Sequence, residues 1–408
     1  MKVLWLAPYP HPLETAPHPV PWVGTLAKEL SQHAEIELTI LNWTSKISSD
    51  VEECTQDGIR FIYLKVPSVR EDILTLYRRR IALVVAYLRQ HYQRYDLLHL
   101  HGSELQLPAM TAGLAVPQLL SVQGLVSQYI RFVPGTFSKL KFLWALAGYY
   151  ERRYLPAIHH FSCRTHWDKA QIRQLSPGCT VHHNWEMIRP EFFGDDSVVA
   201  PVSGRPQLLF MGGSQELKGF RETLAAFKIV RAQVDVQLVI VGRVNDHEMA
   251  AAIAQTGLRN IGPNDVQCRQ FVSAAELAVL FRESFCLLHP SHVDNSPNSV
   301  CEAQVAGLPV IAANVGGVSS LVEHEQTGLL CDLNPATIAR QVLQLCHNPA
   351  LRQRLIAQAR TVAWQRHNPA TVVQRTVAIY HAVYEAFHQT QPGSVVEEVA
   401  ANSLFAAS

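Results

Sequence analysis

Long apolar runs are missing from this chain of 408 residues: none reaches the ~18 uncharged apolar residues that a membrane-spanning helix needs. The amino terminus, MKVLWLAPYPHP, has one lysine and too short an apolar run for a signal peptide, so a cytoplasmic location is expected. Charge of one sign is missing as well. The formal net charge is +1, with no basic block and no RNA-reading motif, which argues against a nucleic-acid partner. The eight cysteines (54, 163, 179, 268, 286, 301, 331 and 346) form no CxxC pair and mostly lie in apolar runs, so they read as small core residues in a reducing compartment. The absence of HExxH, GxSxG and GxGxxG argues against zinc peptidases, nucleophile-elbow hydrolases and simple nicotinamide enzymes. Nineteen histidines invite a metal reading, but His99 and His101 of HLH share one strand face with no carboxylate spaced to complete a site. No metal and no cofactor is expected.

What is present is a repeated alternation of strand and helix patterns. KVLWLA, then VGTLAKELSQ, then EIELTILNW reads as strand, helix, strand, and a helix-like segment from Leu74 to Tyr95 leads into YDLLHLHG and PQLLSVQG. Near Asp195 the pattern stops. After DDSVVAPVSGRP a second series begins with QLLFMGG, FRETLAAFKIVRAQ, VQLVIVG, AAELAVLFRES, FCLLHPS and LPVIAAN. Two such series predict an α/β protein of two doubly wound, Rossmann-like domains facing a cleft. The expected divisions are an amino-terminal domain over 1–195, a linker over 196–206 and a second domain over 207–365. A helix over 366–390 should pack back on the first domain, and the tail 391–408 lacks a core-forming pattern. Residues 128–155 gather five basic residues, one acid and many aromatics. That stretch reads either as a patch making peripheral contact with an anionic membrane or as a helix with a solvated basic face and an aromatic core face.

The densest chemistry lies in SHVDNSPNSVCEAQVAGLPV, from Ser291 to Val310. FCLLHPS predicts a strand, HVDN its turn, and Ser296-Pro297 a helix start with Ser as cap and Pro at the first helical position. The free N–H groups of such a helix favour an anion, and Asn298 and Glu302, four apart, share one face. Gly212 and Gly213 end one strand, with Lys218 just beyond them to neutralise phosphate. NVGGVSS repeats a glycine pair at Gly316 and Gly317. The spacing is not that of a P-loop.

These segments resemble the family 4 (group 1) glycosyltransferases, retaining enzymes of the GT-B fold. The order is a strand ending in Pro-Ser, an acid, seven residues, a Glu, a Gly-x-Pro-Val strand, Gly-Gly and a Thr-Gly-Leu-Leu turn. FMGGSQELKGF, YDLLHLHG and VHHNWEMIRPEFF extend the likeness over most of residues 2–385. The resemblance implies a nucleotide-diphosphate sugar as donor and a hydroxyl of a glycan or lipid-linked acceptor as partner. It implies catalytic roles for Asp294, Lys218 and Glu302, with Glu302 on the ribose, Asp294 on the transferred sugar and Lys218 on the diphosphate. Donor contacts would also come from Gly212, Gly213, Arg269, Asn295, Ser296, Asn298, Ser299, Gly316 and Gly317, with the base near Cys268 to Val272. His18, His101 and Gln123 would lie on the sugar or acceptor side. Five places depart from the family pattern: Asp294 for the commoner Glu, Gly213 for an arginine, Ser320 for an acid, Gln123 for a histidine, and Pro17-His18 for a Gly-Gly loop. The departures keep open a non-catalytic nucleotide-sugar binder, and the fold alone also admits an epimerase or a phosphorylase.

Overall fold

A computed structural model describes residues 1–14, 20–135, 138–194, 204–259, 261–262, 264–270 and 272–389. Pro17, His18, residues 196–203 of the expected linker and the tail 391–408 lie outside the described residues.

Two parallel sheets carry the chain. The first holds β1 (Lys2–Leu6), β2 (Glu37–Thr44), β3 (Val51–Gln56), β4 (Ile59–Lys65), β5 (Leu97–His101), β6 (Gln118–Ser121), β7 (His160–Cys163) and β8 (Thr180–His183). Their spatial order is β3-β4-β2-β1-β5-β6-β7-β8, and only β3 runs antiparallel to its neighbour. The second sheet holds β9 (Gln207–Met211), β10 (Gln237–Val241), β11 (Val266–Arg269), β12 (Cys286–His289), β13 (Val310–Ala313) and β14 (Leu329–Cys331), in the order β11-β10-β9-β12-β13-β14. Continuous apolar runs such as KVLWL and CLLH form strands here because helices cover both sheet faces, so neither side of the strand needs to be polar. In each sheet the strand order reverses once, between β1 and β5 and between β9 and β12. The loops leaving the carboxyl ends of those strands splay apart and leave a crevice.

Three local readings need correction. The pattern from Leu74 to Tyr95 is two helices, Val69–Leu74 and Arg78–His91, broken by left-handed backbone at Leu76 and Tyr77 (φ 51° and 64°). β3 and β4 form a hairpin whose signal, Asp57-Gly58, was in the sequence. Both residues have positive φ, as a two-residue hairpin turn of matching twist requires. Cys54 on β3 and Cys268 on β11 are exposed rather than in the core, Cys54 because every residue of that edge strand faces solvent.

The helix Pro369–Gln389 places Val377, Ile379, Tyr380 and Val383 in the apolar cluster under β1 and β2 of the first sheet. Tyr380 is fully buried, and its hydroxyl accepts from Trp5 Nε1 at 2.9 Å and bonds His99 Nδ1 at 2.8 Å. Asn184 adds bonds to Val372 O and Thr376 Oγ1 at 3.1 and 2.9 Å. Replacing Tyr380 with Phe keeps the ring and strands both buried partners. Denaturant unfolding of Tyr380→Phe should show a loss of about 1–3 kcal/mol; an unchanged midpoint would mean that the helix is held by its apolar face alone.

Candidate functional site

The loops at the second sheet's crevice are sewn together by their own backbone. After β9, Gly212 and Gly213 donate to Val241 O, and the turn Glu216–Lys218 follows. After β12, His292 N and Ser291 Oγ both donate to Leu217 O, at 2.9 and 3.2 Å. This brings Lys218 Nζ to 2.7 Å from Asp294 Oδ2, with His289 Nε2 3.3 Å from the same oxygen. Burial alone would raise the Asp294 carboxyl, but the Lys218 ammonium and His289 outweigh it and hold it well below the usual carboxylate range.

Gly213 has φ +54°, and a Cβ there would lie 2.2 Å from the carbonyl oxygen of Arg243. The chain therefore has no room for an arginine at this position, which explains that departure in steric terms. Gly316 is constrained in the same way: φ is +54°, and a Cβ would lie 2.0 Å from Asp294 O.

Asn295 crosses to the first half of the chain. Its side chain is fully buried; Oδ1 accepts from Thr165 Oγ1 at 2.6 Å, and Nδ2 donates to Asp168 Oδ2 at 3.0 Å and to Gln123 O at 3.3 Å. Thr165 and Asp168 form the capping box of the helix His166–Leu175, so Asn295 completes a helix cap from across the interface. Ser320, found where an acid is frequent, has a partner of its own, because its Oγ accepts from His166 N at 3.0 Å.

The helix expected at Ser296-Pro297 runs Asn298–Ala306, with Pro297 in extended backbone at the cap position and no capping bond from Ser296. Glu302, one turn in, is buried, and Arg189 donates to its Oε1 from Nε at 3.0 Å and from a terminal nitrogen at 2.7 Å. Burial pushes the Glu302 carboxyl up to about 7, against the pull of Arg189.

The other expected residues divide. Asn298 and Ser299 are half-buried at the first turn of that helix, and Arg269 is exposed at the end of β11. A Cβ on Gly317 would run into Asn295 O and Thr165 Oγ1, so Gly317 serves the interface between the halves. Gln123 reaches the site through its backbone oxygen. His101 does not open onto the crevice: it is buried with ring centroids 4.2 Å from Trp5 and 4.1 Å from His99, and burial holds its imidazole neutral. Arg189, His289, Thr165 and Asp168 went unread. Arg189 and His289 carried a signal, since they lie in VHHNWEMIRPEFF and FCLLHPS, segments that share the family likeness.

Residues 195–362 match the family of glycosyl transferases group 1. Over that stretch the chain is similar to the group 1 glycosyltransferases. A protein named D-inositol 3-phosphate glycosyltransferase from Arthrobacter sp. is 27% identical over 324 residues, 73% of each chain. A glycogen synthase of Mycobacterium tuberculosis is 28% identical over 198 residues, 47% of this chain and 46% of its own. Among solved structures, the sucrose-phosphate synthase of Thermosynechococcus elongatus superposes with a TM-score of 0.75 at 18% identity, covering 94% of this chain and 99% of that one. Anabaena HepE, solved with UDP and glucose, gives 0.67 at 16% identity over 93% and 98%. The fold of this glycosyltransferase is GT-B.

The Glu302 carboxyl binds its proton more tightly in the folded enzyme, about 7, than at its ordinary value of 4.5. Its contribution to stability is therefore lost as pH rises between those values. Urea midpoints at both ends of that window should show the wild type losing about 3 kcal/mol more than Glu302→Gln. Equal losses would mean that Glu302 titrates normally.

Proposed function

We propose that this glycosyltransferase moves a sugar, with retention of configuration, from a nucleotide-diphosphate sugar to a hydroxyl of a glycan or lipid-linked acceptor. The observation that carries this reading is the Lys218–Asp294 pair, 2.7 Å apart at the crevice of the second sheet, held against the first half by Asn295. An arriving diphosphate offers Lys218 a more highly charged partner than Asp294. The ammonium moves to it, and Asp294 turns its lone pairs to the sugar hydroxyls. Both Arg189 bonds fall on Oε1 of Glu302, which leaves Oε2 for a ribose hydroxyl. The leaving diphosphate is met by Lys218 and the amino end of the helix Asn298–Ala306, so the reading calls for no metal. HepE, solved with UDP and glucose, supports the donor class.

Lys218→Ala and Glu302→Gln should each slow nucleotide release from labelled nucleotide sugars by roughly a hundredfold or more. Near-normal turnover in both variants would remove the assignment. Calorimetric binding of nucleotide diphosphates with no turnover on any acceptor would favour the non-catalytic reading instead.

A peripheral membrane contact through residues 128–155 is the second part of the proposal. On the helix Lys139–Tyr154, Phe142 and Tyr149 are seven apart, share a face and are 55% and 57% exposed, with Arg152 and Arg153 beside them. Among the described residues no helix is long and apolar enough to cross a membrane. Sedimentation with vesicles should rise with the fraction of anionic lipid, and binding indifferent to that fraction would exclude the contact.

A further inference from the structure

A groove of about 550 Å³ opens in the first half of the protein, beside the loop that leaves β5 at that sheet's reversal of strand order. One wall is the other face of the helix Lys139–Tyr154. Leu140, Leu143, Trp144 and Ala147 recur at the spacing of a single helical face, yet Leu140 stays 50% exposed because no element among the described residues covers it. The floor is polar and already paired. Arg80 is buried with its guanidinium between the rings of Trp43 and Tyr77, 5.0 and 5.1 Å from their centroids. Its nitrogens go to Asp72 at 2.8 Å, to Leu105 O at 3.3 Å and to Gln106 Oε1. Of the charged side chains lining the groove, this leaves Glu104 uncompensated. Glu104 Oε1 accepts from Gly124 N at 2.7 Å, and burial pushes the carboxyl up to about 7.

Two further observations point to a ligand. Two non-glycine residues with left-handed backbone, Tyr77 and Gln106 (φ 64° and 63°), line this groove, and strain of that kind collects where a fold is shaped for binding. The groove also ends at the donor side. Tyr129 lines it and packs against Gly124; burial raises its phenol, and Asp294 and Glu104 both add to the rise.

We propose that the acceptor is an uncharged, hydroxyl-bearing headgroup on an apolar body, with Glu104 receiving its hydroxyls and the helix Lys139–Tyr154 its apolar part. The proposal rests on the glycosyl-transfer reading and names the acceptor class. A phosphorylated headgroup would meet a carboxylate and no unspent cation, whereas a neutral sugar ring offers hydroxyls to Glu104 and C–H faces to the aromatic walls. The apolar body covers the helix face that the fold leaves open.

The test is titration of the full chain with n-octyl glucoside below its micelle concentration, with glucose and with glucose 6-phosphate, followed by tryptophan fluorescence and calorimetry. Octyl glucoside should bind roughly tenfold or more tightly than either other sugar. Ala147→Trp, which fills the groove, should abolish its binding, and Leu140→Asp, a change at an exposed position that folding tolerates, should weaken it by roughly tenfold. Glucose 6-phosphate binding as well as octyl glucoside, or octyl glucoside binding undiminished in Leu140→Asp, would overturn the proposal. Nucleotide diphosphate binding on the same preparation reads the donor site separately. Its failure would remove the glycosyl-transfer reading, while saturable octyl glucoside binding weakened in Leu140→Asp would still establish the groove.

Discussion

A fully buried carboxamide ties the two halves of this protein together, alongside the Ser320–His166 and Arg189–Glu302 contacts. Asn295 accepts from Thr165 and donates to Asp168 and to Gln123 O, so its loss would leave a buried hydroxyl and a buried carboxylate short of partners in one step. Much around it follows from that tie. The backbone at Asp294 and Asn295 is fixed close enough to the 316–317 turn that only glycine fits at both positions. Asn295 N also donates to Asp294 Oδ1 at 3.1 Å, which aims the other carboxylate oxygen at Lys218. The residue next to Asp294 is thus part of the interface, and the position of that acid depends on the contact between the halves. A ligand that opened the halves would disturb Asp294 first.

Asp294 and Glu302 are buried and Glu104 is half-buried, and their environments separate them. Asp294 has an ammonium and an imidazole on one oxygen and stays ionised. Glu302 has a guanidinium bonded twice to one oxygen, but its burial outweighs this and raises the carboxyl to about 7. Glu104, with a backbone N–H and no cation, is raised to about the same value. A carboxyl that titrates near neutrality can accept a hydrogen bond from a hydroxyl or donate one to it. A permanently ionised group suits the exchange of one cation partner for another. The division of labour follows from which partner each acid has.

What the sequence revealed was local. Gly212, Lys218, Asp294 and Gly316 each lie a few residues past a strand end, and apolar runs closed by turn residues mark those ends without any knowledge of the partner strand. Pairings over long separations were illegible. Arg189 and Glu302 are 113 residues apart and Asn295 and Asp168 are 127 apart, and one sequence holds no record of which distant side chains converge. Ser296-Pro297 misled for a different reason. The pair fits a capped helix start, but Pro297 at ψ 118° is extended, and the helix begins one residue later without a side-chain cap. His101 looked available because alternation gives the face of a strand residue and not what covers that face. Here Trp5 packs beside His101, and the helix Pro369–Gln389 closes over the neighbouring His99.

The two reversals of strand order place the groove and the Lys218–Asp294 cluster at the carboxyl ends of their sheets. The crevice between β1 and β5 opens beside Glu104, and the crevice between β9 and β12 opens between Lys218 and Asp294. Each sheet alone would offer one half of a reaction. The Asn295 tie sets the carboxyl end of one sheet against that of the other, and Tyr129, within electrostatic reach of both Asp294 and Glu104, marks where the two crevices meet. The missing arginine at Gly213 becomes intelligible in this arrangement. The backbone of Arg243 fills its place and brings β9 and β10 close enough for Gly212 and Gly213 to donate to the same carbonyl of Val241. The turn at Gly213 leaves no room for that side chain, and Lys218 is the cation paired with Asp294 beside it.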